Sequence, residues 1–176
     1  MLHLIGLFFL LAFSAFGQSG MLTYNPVNPG AVPMWIKCTV TNSTTNLVVS
    51  GTGCTAASIA KAAGLTQSIP LFPLLAKGFV HDFYIESTTA FVGTTTLLGG
   101  LGTTDSPNLF LVSAVTGYNL KTAVSATNHT TLKPLVVGSD TSAATNVVLA
   151  LTSTVDLLTS ISAGVVDVYV LRSVRP

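Results

Sequence analysis

The stretch that decides the fold is residues 69–93, IPLFPLLAKGFVHDFYIESTTAFVG. It contains an extended apolar run with two prolines, a Lys-Gly turn, and then a segment in which polar and apolar residues alternate. Alternation with a period of two places successive side chains on opposite faces of a β-strand. Because proline cannot donate a ladder hydrogen bond, the run at 69–74 is predicted to be an edge strand. The stretch therefore predicts two strands joined by a turn.

The strand at 79–86 has two chemically different faces. One face is predicted to be apolar and to carry a histidine, and its members are Phe79, His81, Phe83 and Ile85. The other face is predicted to be polar and solvated, and its members are Val80, Asp82, Tyr84 and Glu86. One face of such a strand is buried against a second layer, as in antiparallel sheets.

Similar segments recur along the chain with Gly, Asn, Asp or Ser turns between them. The clearest are residues 35–40, 47–49, 145–154 and 165–174. Gly99-Gly100-Leu101-Gly102 is predicted to be a flexible bend, and 55–63, TAASIAKAA, is the one helix candidate, with Thr55 as N-cap. The sequence therefore predicts an all-β fold, an antiparallel β-sandwich or jelly-roll-like domain with at most one short helix near 55–63.

The composition narrows the range of partners. Only 7% of residues are charged, against about 25% in typical soluble proteins, and the formal net charge is +1. Nucleic acid is not expected as a partner, because phosphate binding needs clustered Lys and Arg. Thr and Ser, 25 and 16 residues, replace the missing charges. A nearly neutral surface favours self-association, so either an assembly or a hydroxyl-rich extracellular domain fits.

The chain is expected to divide into three parts. Residues 1–17 contain an apolar run, 4–16, followed by Ala15-Phe16-Gly17, which fits a signal peptide cleaved before Gln18. The alternative is a non-native extension, with Met21 as the true start. Residues 18–65 are predicted to form an N-terminal arm and hairpin, and 66–176 the β-sandwich domain. No membrane span is expected, because no later run reaches 18 apolar residues.

Cys38 and Cys54 are the only cysteines. In an exported chain a disulfide between them would close a short loop and contribute about 3 kcal/mol. In a cytoplasmic chain they would be buried thiols. Their spacing matches no zinc motif.

Other chemical motifs are weak. Residues 51–56, GTGCTA, match G-x-G-x-x-A, but no acidic residue follows at the distance a dinucleotide site requires, so a turn is expected. No partner completes a catalytic triad or metal site around His81 or His129. Asp82 and Glu86 share a face about 13 Å apart, too far for a glycosidase pair.

The remaining polar and aromatic candidates lie near turns and strand ends. Asp105 and Asp140 are expected in turns, without a calcium-binding loop pattern. No catalytic residue, cofactor or metal is therefore predicted, and the protein is expected not to be an enzyme. Trp35, Tyr84 and Tyr118 could stack on sugar rings if they are exposed, although core packing is the commoner fate of such residues.

Two segments resemble a group of structural proteins from tailed bacteriophages and prophages. These segments are LFPLLAKGFVHDFYIESTTAFVG and the C-terminal LLTSISAGVVDVYVLRSVRP, and the resemblance covers about residues 66–176. The matching residues are Leu71-Phe72, Ala76-Lys77-Gly78, Thr88-Thr89-Ala90-Phe91 and the run from Ala163 to Val170. The Gly-rich segment at 99–105 matches less well.

The resemblance implies a β-sandwich virion component of the tail, fibre or capsid-decoration class. It further implies a homo-oligomer, trimeric or higher, that contacts other virion proteins. The leader departs from this pattern, since virion proteins assemble in the host cytoplasm. The alternative is a secreted bacterial surface or adhesin-like module that binds a surface glycan.

Overall fold

The computed structural model describes residues 33–75, 78–111, 118–122 and 144–174. These residues form nine β-strands and one short 3₁₀ helix at Leu158–Ser160. The strands are β1 (Met34–Asn42), β2 (Asn46–Ser50), β3 (Ala57–Ala60), β4 (Thr66–Leu74), β5 (Gly78–Val92), β6 (Leu98–Thr103), β7 (Tyr118–Asn119), β8 (Thr145–Thr152) and β9 (Ala163–Val174).

The strands form two antiparallel sheets that pack together, which confirms the predicted all-β sandwich. The five-stranded sheet has the order β3-β2-β1-β9-β5, and the four-stranded sheet has the order β4-β8-β6-β7. The finer jelly-roll description stays a prediction. The boundary predicted between residues 65 and 66 falls between β3 and β4, and strands from both sides of it build the five-stranded sheet.

The core lies between the sheets and follows the predicted alternation. In β9 the fully buried residues are Val166, Val168 and Val170. In β8 Val147, Leu149 and Leu151 belong to the core cluster as predicted, and Val148 and Ala150 between them are also buried. Burial of every second apolar side chain is the main stabilising term of such a sandwich. β4 lies at the edge of its sheet, as its two prolines predicted. A bulge between Pro70 and Phe72 turns both Leu71 and Phe72 into the core.

The predicted helix at 55–63 is wrong. Its central residues form β3, which pairs with β2 so that Leu47 lies opposite Ile59. Ile59 is partly buried and packs against the core. A nine-residue helix is marginal in isolation, whereas pairing with an existing strand supplies hydrogen bonds and burial together.

The flexible bend predicted at 99–102 is also wrong, because these residues lie in the interior of β6. A methyl group on Gly102 would lie 2.2 Å from the Ser106 carbonyl oxygen, and one on Gly99 would lie 3.3 Å from the Leu120 side chain. The glycines therefore permit close approach of neighbouring chain segments rather than flexibility.

The face assignment of β5 needs one correction. Phe83 and Ile85 point into the core as predicted, but Val80 is buried with them. The cause is a bulge between Val80 and Asp82, which places one extra residue, His81, in the strand. The side chain of Phe79 lies outside the described part of the structure.

Candidate functional site

The Cys38 and Cys54 side chains form a disulfide in the structure. Cys38 is fully buried in β1, and Cys54 lies in the loop that follows β2. Two glycines with positive φ, Gly51 at 126° and Gly53 at 84°, shape that loop. A methyl group on Gly51 would lie 2.3 Å from the Lys37 carbonyl oxygen, so the tight approach requires glycine here.

The G-x-G-x-x-A pattern therefore belongs to this disulfide-linked turn. A phosphate site of that type uses the N-terminus of a following helix, where backbone N–H groups converge. In this chain the next element is β3. Residues 51–56 are therefore not followed by the helical backbone N–H groups that a phosphate site of this type requires.

His81 lies on the outer side of β5 and is only partly buried. Its Nε2 atom lies 2.6 Å from Ser173 Oγ in β9. The neighbouring Asp82 instead accepts a hydrogen bond of 2.8 Å from the backbone N–H of Phe83. The bulge thus gives the histidine a hydroxyl partner and the carboxylate a backbone partner, and the two do not pair with one another.

Metal-binding groups do not gather in the described residues. No cluster of three His, Cys, Asp or Glu side chains in that part of the chain is arranged to hold a metal ion. Asp105 accepts a long hydrogen bond of 3.5 Å from Thr145 Oγ1. His129 and Asp140 lie outside the described residues.

Three aromatic side chains meet on the outer surface of the five-stranded sheet. Tyr84 and Tyr169, directly opposite each other on β5 and β9, stack with their ring centroids 4.0 Å apart. Trp35 on β1 contacts Tyr84 in an edge-to-face arrangement at 5.7 Å and remains 51% exposed. We call Trp35, Tyr84 and Tyr169, with the charged residues beside them, the aromatic face.

An ion pair lies beside these rings. Lys37 Nζ is 2.8 Å from an Asp167 carboxylate oxygen, and the same ammonium lies 5.3 Å from the centre of the Tyr169 ring. Thr39 Oγ1 donates a 2.5 Å hydrogen bond to the second Asp167 oxygen. The hydrogen bond to Asp167, followed by contact with Tyr169, raises the pKa of Lys37 above its ordinary value. The lysine therefore stays charged at neutral pH.

Tyr118, the third predicted sugar-stacking residue, does not belong to the aromatic face. It lies on β7 in the other sheet, and it packs against the core. Burial raises the pKa of its phenol. Trp35 and Tyr84 are thus brought together, while Tyr118 has a packing role.

A second surface lies at one end of the sandwich, where several loops meet. Four aliphatic side chains there are between 41% and 65% exposed, and we call them the apolar end: Leu65, Val92, Val155 and Leu157. The loops are held by backbone hydrogen bonds from Ser153 to Leu65 (2.8 Å) and from Ser162 to Val92 (3.0 Å). Asp156 accepts a hydrogen bond from the backbone of Thr95, which lowers its pKa.

A polar cavity of about 550 Å³ lies at the same end, lined by residues 42–44 and 159–162. Behind it, Lys61 is only 8% exposed and donates hydrogen bonds to Asn42 Oδ1 (3.1 Å) and to the Ile161 carbonyl (2.6 Å). Burial lowers the pKa of this lysine. Asn42 is the last residue of β1 and Ile161 follows the 3₁₀ helix, so Lys61 joins the end of β1 to that loop beside the apolar end.

The sequence analysis did not identify Tyr169 and Asp167 on the aromatic face, nor the apolar end, although the sequence contained a signal for each. Tyr169 and Asp167 alternate with the inward valines of β9, so their outward direction followed from the strand period. The apolar end had the signal of aliphatic residues flanking Asp156 in a loop, VDL, where polar residues are expected. What the sequence did not contain was the pairing of β1 with β9, which brings Lys37 and Trp35 beside them.

Comparison with protein-family models, with curated proteins and with solved structures found no significant match. Among the described residues, no helix has the length and apolar character needed to cross a bilayer.

Proposed function

We propose that the protein is a non-enzymatic structural component of a phage or prophage particle and that it acts by associating with further copies of itself. The observation that carries the proposal is the apolar end. Exposed aliphatic residues scattered singly are normal, but grouped ones mark contact sites. Four of them lie on loops that backbone hydrogen bonds join at one end of the sandwich, in a chain that is only 7% charged.

The sheet edges support association through such a surface rather than through strand pairing. Edge strands are protected in nature by shortness, prolines and bulges. Here β3 has four residues, β4 contains Pro70 and Pro73, and β5 has three register shifts. Asp82 also occupies a backbone donor of β5. Copies are therefore expected to meet through side chains at the apolar end.

The resemblance to virion structural proteins gives the proposal its biological setting. Its two best-matched segments lie in β5 and β9, which pair along most of their length. The signature residues Phe91 and Gly164 touch each other inside that pair. Signature residues that pack against each other maintain a fold and do not indicate a reaction. This is what we expect for a structural component of a particle.

Sedimentation velocity over a concentration series tests the proposal. The wild-type protein is expected to form a trimer or larger species, and Val155→Asp combined with Leu157→Asp is expected to sediment as a monomer. Charge on an apolar contact surface opposes its desolvation. The matched control is Met34→Asp, because Met34 is 63% exposed, similar to Val155, but lies at the other end of the sandwich. A wild-type monomer at all concentrations would refute the proposal.

A second candidate function, a secreted bacterial surface module, is favoured by the disulfide. Disulfides form and persist in oxidising compartments and are rare in the cytoplasm, where virion proteins assemble. Mass spectrometry of the native protein separates the two candidates. A mature N-terminus at Gln18 supports export, whereas one at Met21 supports the particle.

A further inference from the structure

The aromatic face concentrates residue types that are scarce in this chain. The chain has one Trp and four Tyr, and three of these five residues form the face. It has 13 charged residues (7 basic and 6 acidic), and four of them lie on the same surface: Lys37, Asp82, Glu86 and Asp167. A surface rich in Thr and Ser does not need this grouping for stability, since an ion pair whose lysine is half exposed contributes little.

The rings form a platform across three neighbouring strands. Tyr84 and Tyr169 cover each other by stacking, and Trp35 from β1 lies against Tyr84. Trp35 remains half exposed. An exposed indole fixed by a neighbouring ring offers an apolar surface at little cost in side-chain entropy.

The charges around the platform argue against several occupants. One ammonium, Lys37, and three carboxylates give the face a formal charge of −2. A second copy placing the same face against it would set carboxylates against carboxylates, which opposes association. Nucleic acid would be repelled for the same reason. A cationic ligand would meet the Lys37 ammonium, which already lies over the Tyr169 ring.

We propose that the aromatic face is a binding site for a neutral saccharide. The C–H surface of a sugar ring is apolar and flat enough to stack on Trp35. Asp82 and Glu86 lie on β5 on either side of Tyr84, about 13 Å apart, so the hydroxyls of successive units of an oligosaccharide would donate hydrogen bonds to them. Asp167 already accepts hydrogen bonds from Lys37 and Thr39, so it holds the lysine in place instead of binding the ligand. Such charge-assisted hydrogen bonds give orientation, while stacking gives contact area.

The single tryptophan makes the test direct, because all indole fluorescence in the protein comes from Trp35. The purified full chain is first applied to an array of neutral oligosaccharides built from glucose, galactose, mannose and N-acetylglucosamine. The glycan that binds best is then titrated while Trp35 emission is followed. We expect a saturable change in emission with the same Kd that calorimetry gives.

Two pairs of variants complete the test by calorimetry. Trp35→Ala should weaken binding at least about tenfold, whereas Trp35→Phe, which keeps a ring, should lose less. Glu86→Gln should weaken binding, while Asp105→Asn, far from the face, should not. Binding to no neutral glycan, or binding that Trp35→Ala retains, would overturn the proposal. So would binding to a parallel array of acidic, sialylated glycans without binding to the neutral array.

Saccharide binding at this face is independent of self-association at the apolar end. The variant Val155→Asp with Leu157→Asp should therefore bind the same glycan with unchanged Kd, and Trp35→Ala should keep the wild-type oligomeric state. If Trp35→Ala instead abolished the oligomer, the face would be a contact between copies, and the saccharide proposal would be wrong.

Discussion

The ring of Phe91 in β5 lies directly against the backbone of Gly164 in β9. A methyl group added to Gly164 would be 2.3 Å from Phe91 Cγ, and Gly164 has a φ of +141°, which side chains rarely allow. Phe91 itself is fully buried. The aromatic residue of one strand thus requires the glycine of the other, across 73 residues of sequence (164 − 91).

Replacing Gly164 with alanine should therefore destabilise the protein strongly. The methyl group overpacks a rigid ring and forces an unfavourable backbone conformation, and together these effects should cost about 2–4 kcal/mol. Urea unfolding followed by circular dichroism measures the loss. The matched control is Gly64→Ala, because nothing lies within 4 Å of a methyl group there. Equal stability of the two variants would show that the Phe91 contact is absent.

The disulfide between Cys38 and Cys54 should stabilise the fold by restricting the unfolded chain. Its cysteines are 16 residues apart, and a loop of that size predicts about 3 kcal/mol. Dithiothreitol should therefore lower the urea midpoint of the wild-type protein. The double variant Cys38→Ala with Cys54→Ala should unfold at a lower urea concentration than the wild type, and dithiothreitol should not change its urea midpoint. A wild-type midpoint that reductant leaves unchanged would contradict the bridge.

The ion pair between Lys37 and Asp167 predicts a pH dependence at the alkaline end. The folded state raises the pKa of Lys37 above its ordinary 10.5, so folding favours the charged lysine. This contribution is fully present below pH 10.5 and is lost as pH rises toward the folded-state pKa. Because Lys37 is half exposed, water screens the pair and its contribution is about 1 kcal/mol.

The Lys37→Met variant isolates this contribution. The difference in unfolding free energy between wild type and variant should stay constant from about pH 6 to 9 and should shrink above pH 10.5. Other groups titrate in both proteins, so their effect cancels in the difference between the two unfolding free energies. One such group is Tyr84, whose pKa is raised chiefly by burial. A difference that grows with rising pH would have the wrong sign for this pair.

The strand period predicted more of the fold than the local propensities did. Alternation identified β8 and β9 with their inward valines and leucines, and the prolines placed β4 at an edge. The helix predicted at 55–63 failed because pairing with β2 outweighs a weak local preference. Which strands pair across long separations, such as β1 with β9, is not contained in any local pattern.

Bulges limited the prediction of the candidate site. One extra residue at His81 reverses the face of everything on one side of it, and no sequence signal marks such an insertion. Trp35 and Tyr84 could be named as exposed aromatics, but their contact depends on two separate strand pairings through β9. Trp35 and Tyr84 were thus identified from the sequence, whereas Lys37, Asp167, Tyr169 and the assembly of the site were not.

Hydrogen–deuterium exchange on the associated and the dilute protein tests the central claim most directly. If copies meet through the apolar end, association should protect peptides covering residues 62–65, 92–97 and 153–162, and it should leave β1 and β9 near Trp35 unchanged. Protection confined to the aromatic face, or no difference between the two samples, would contradict the account.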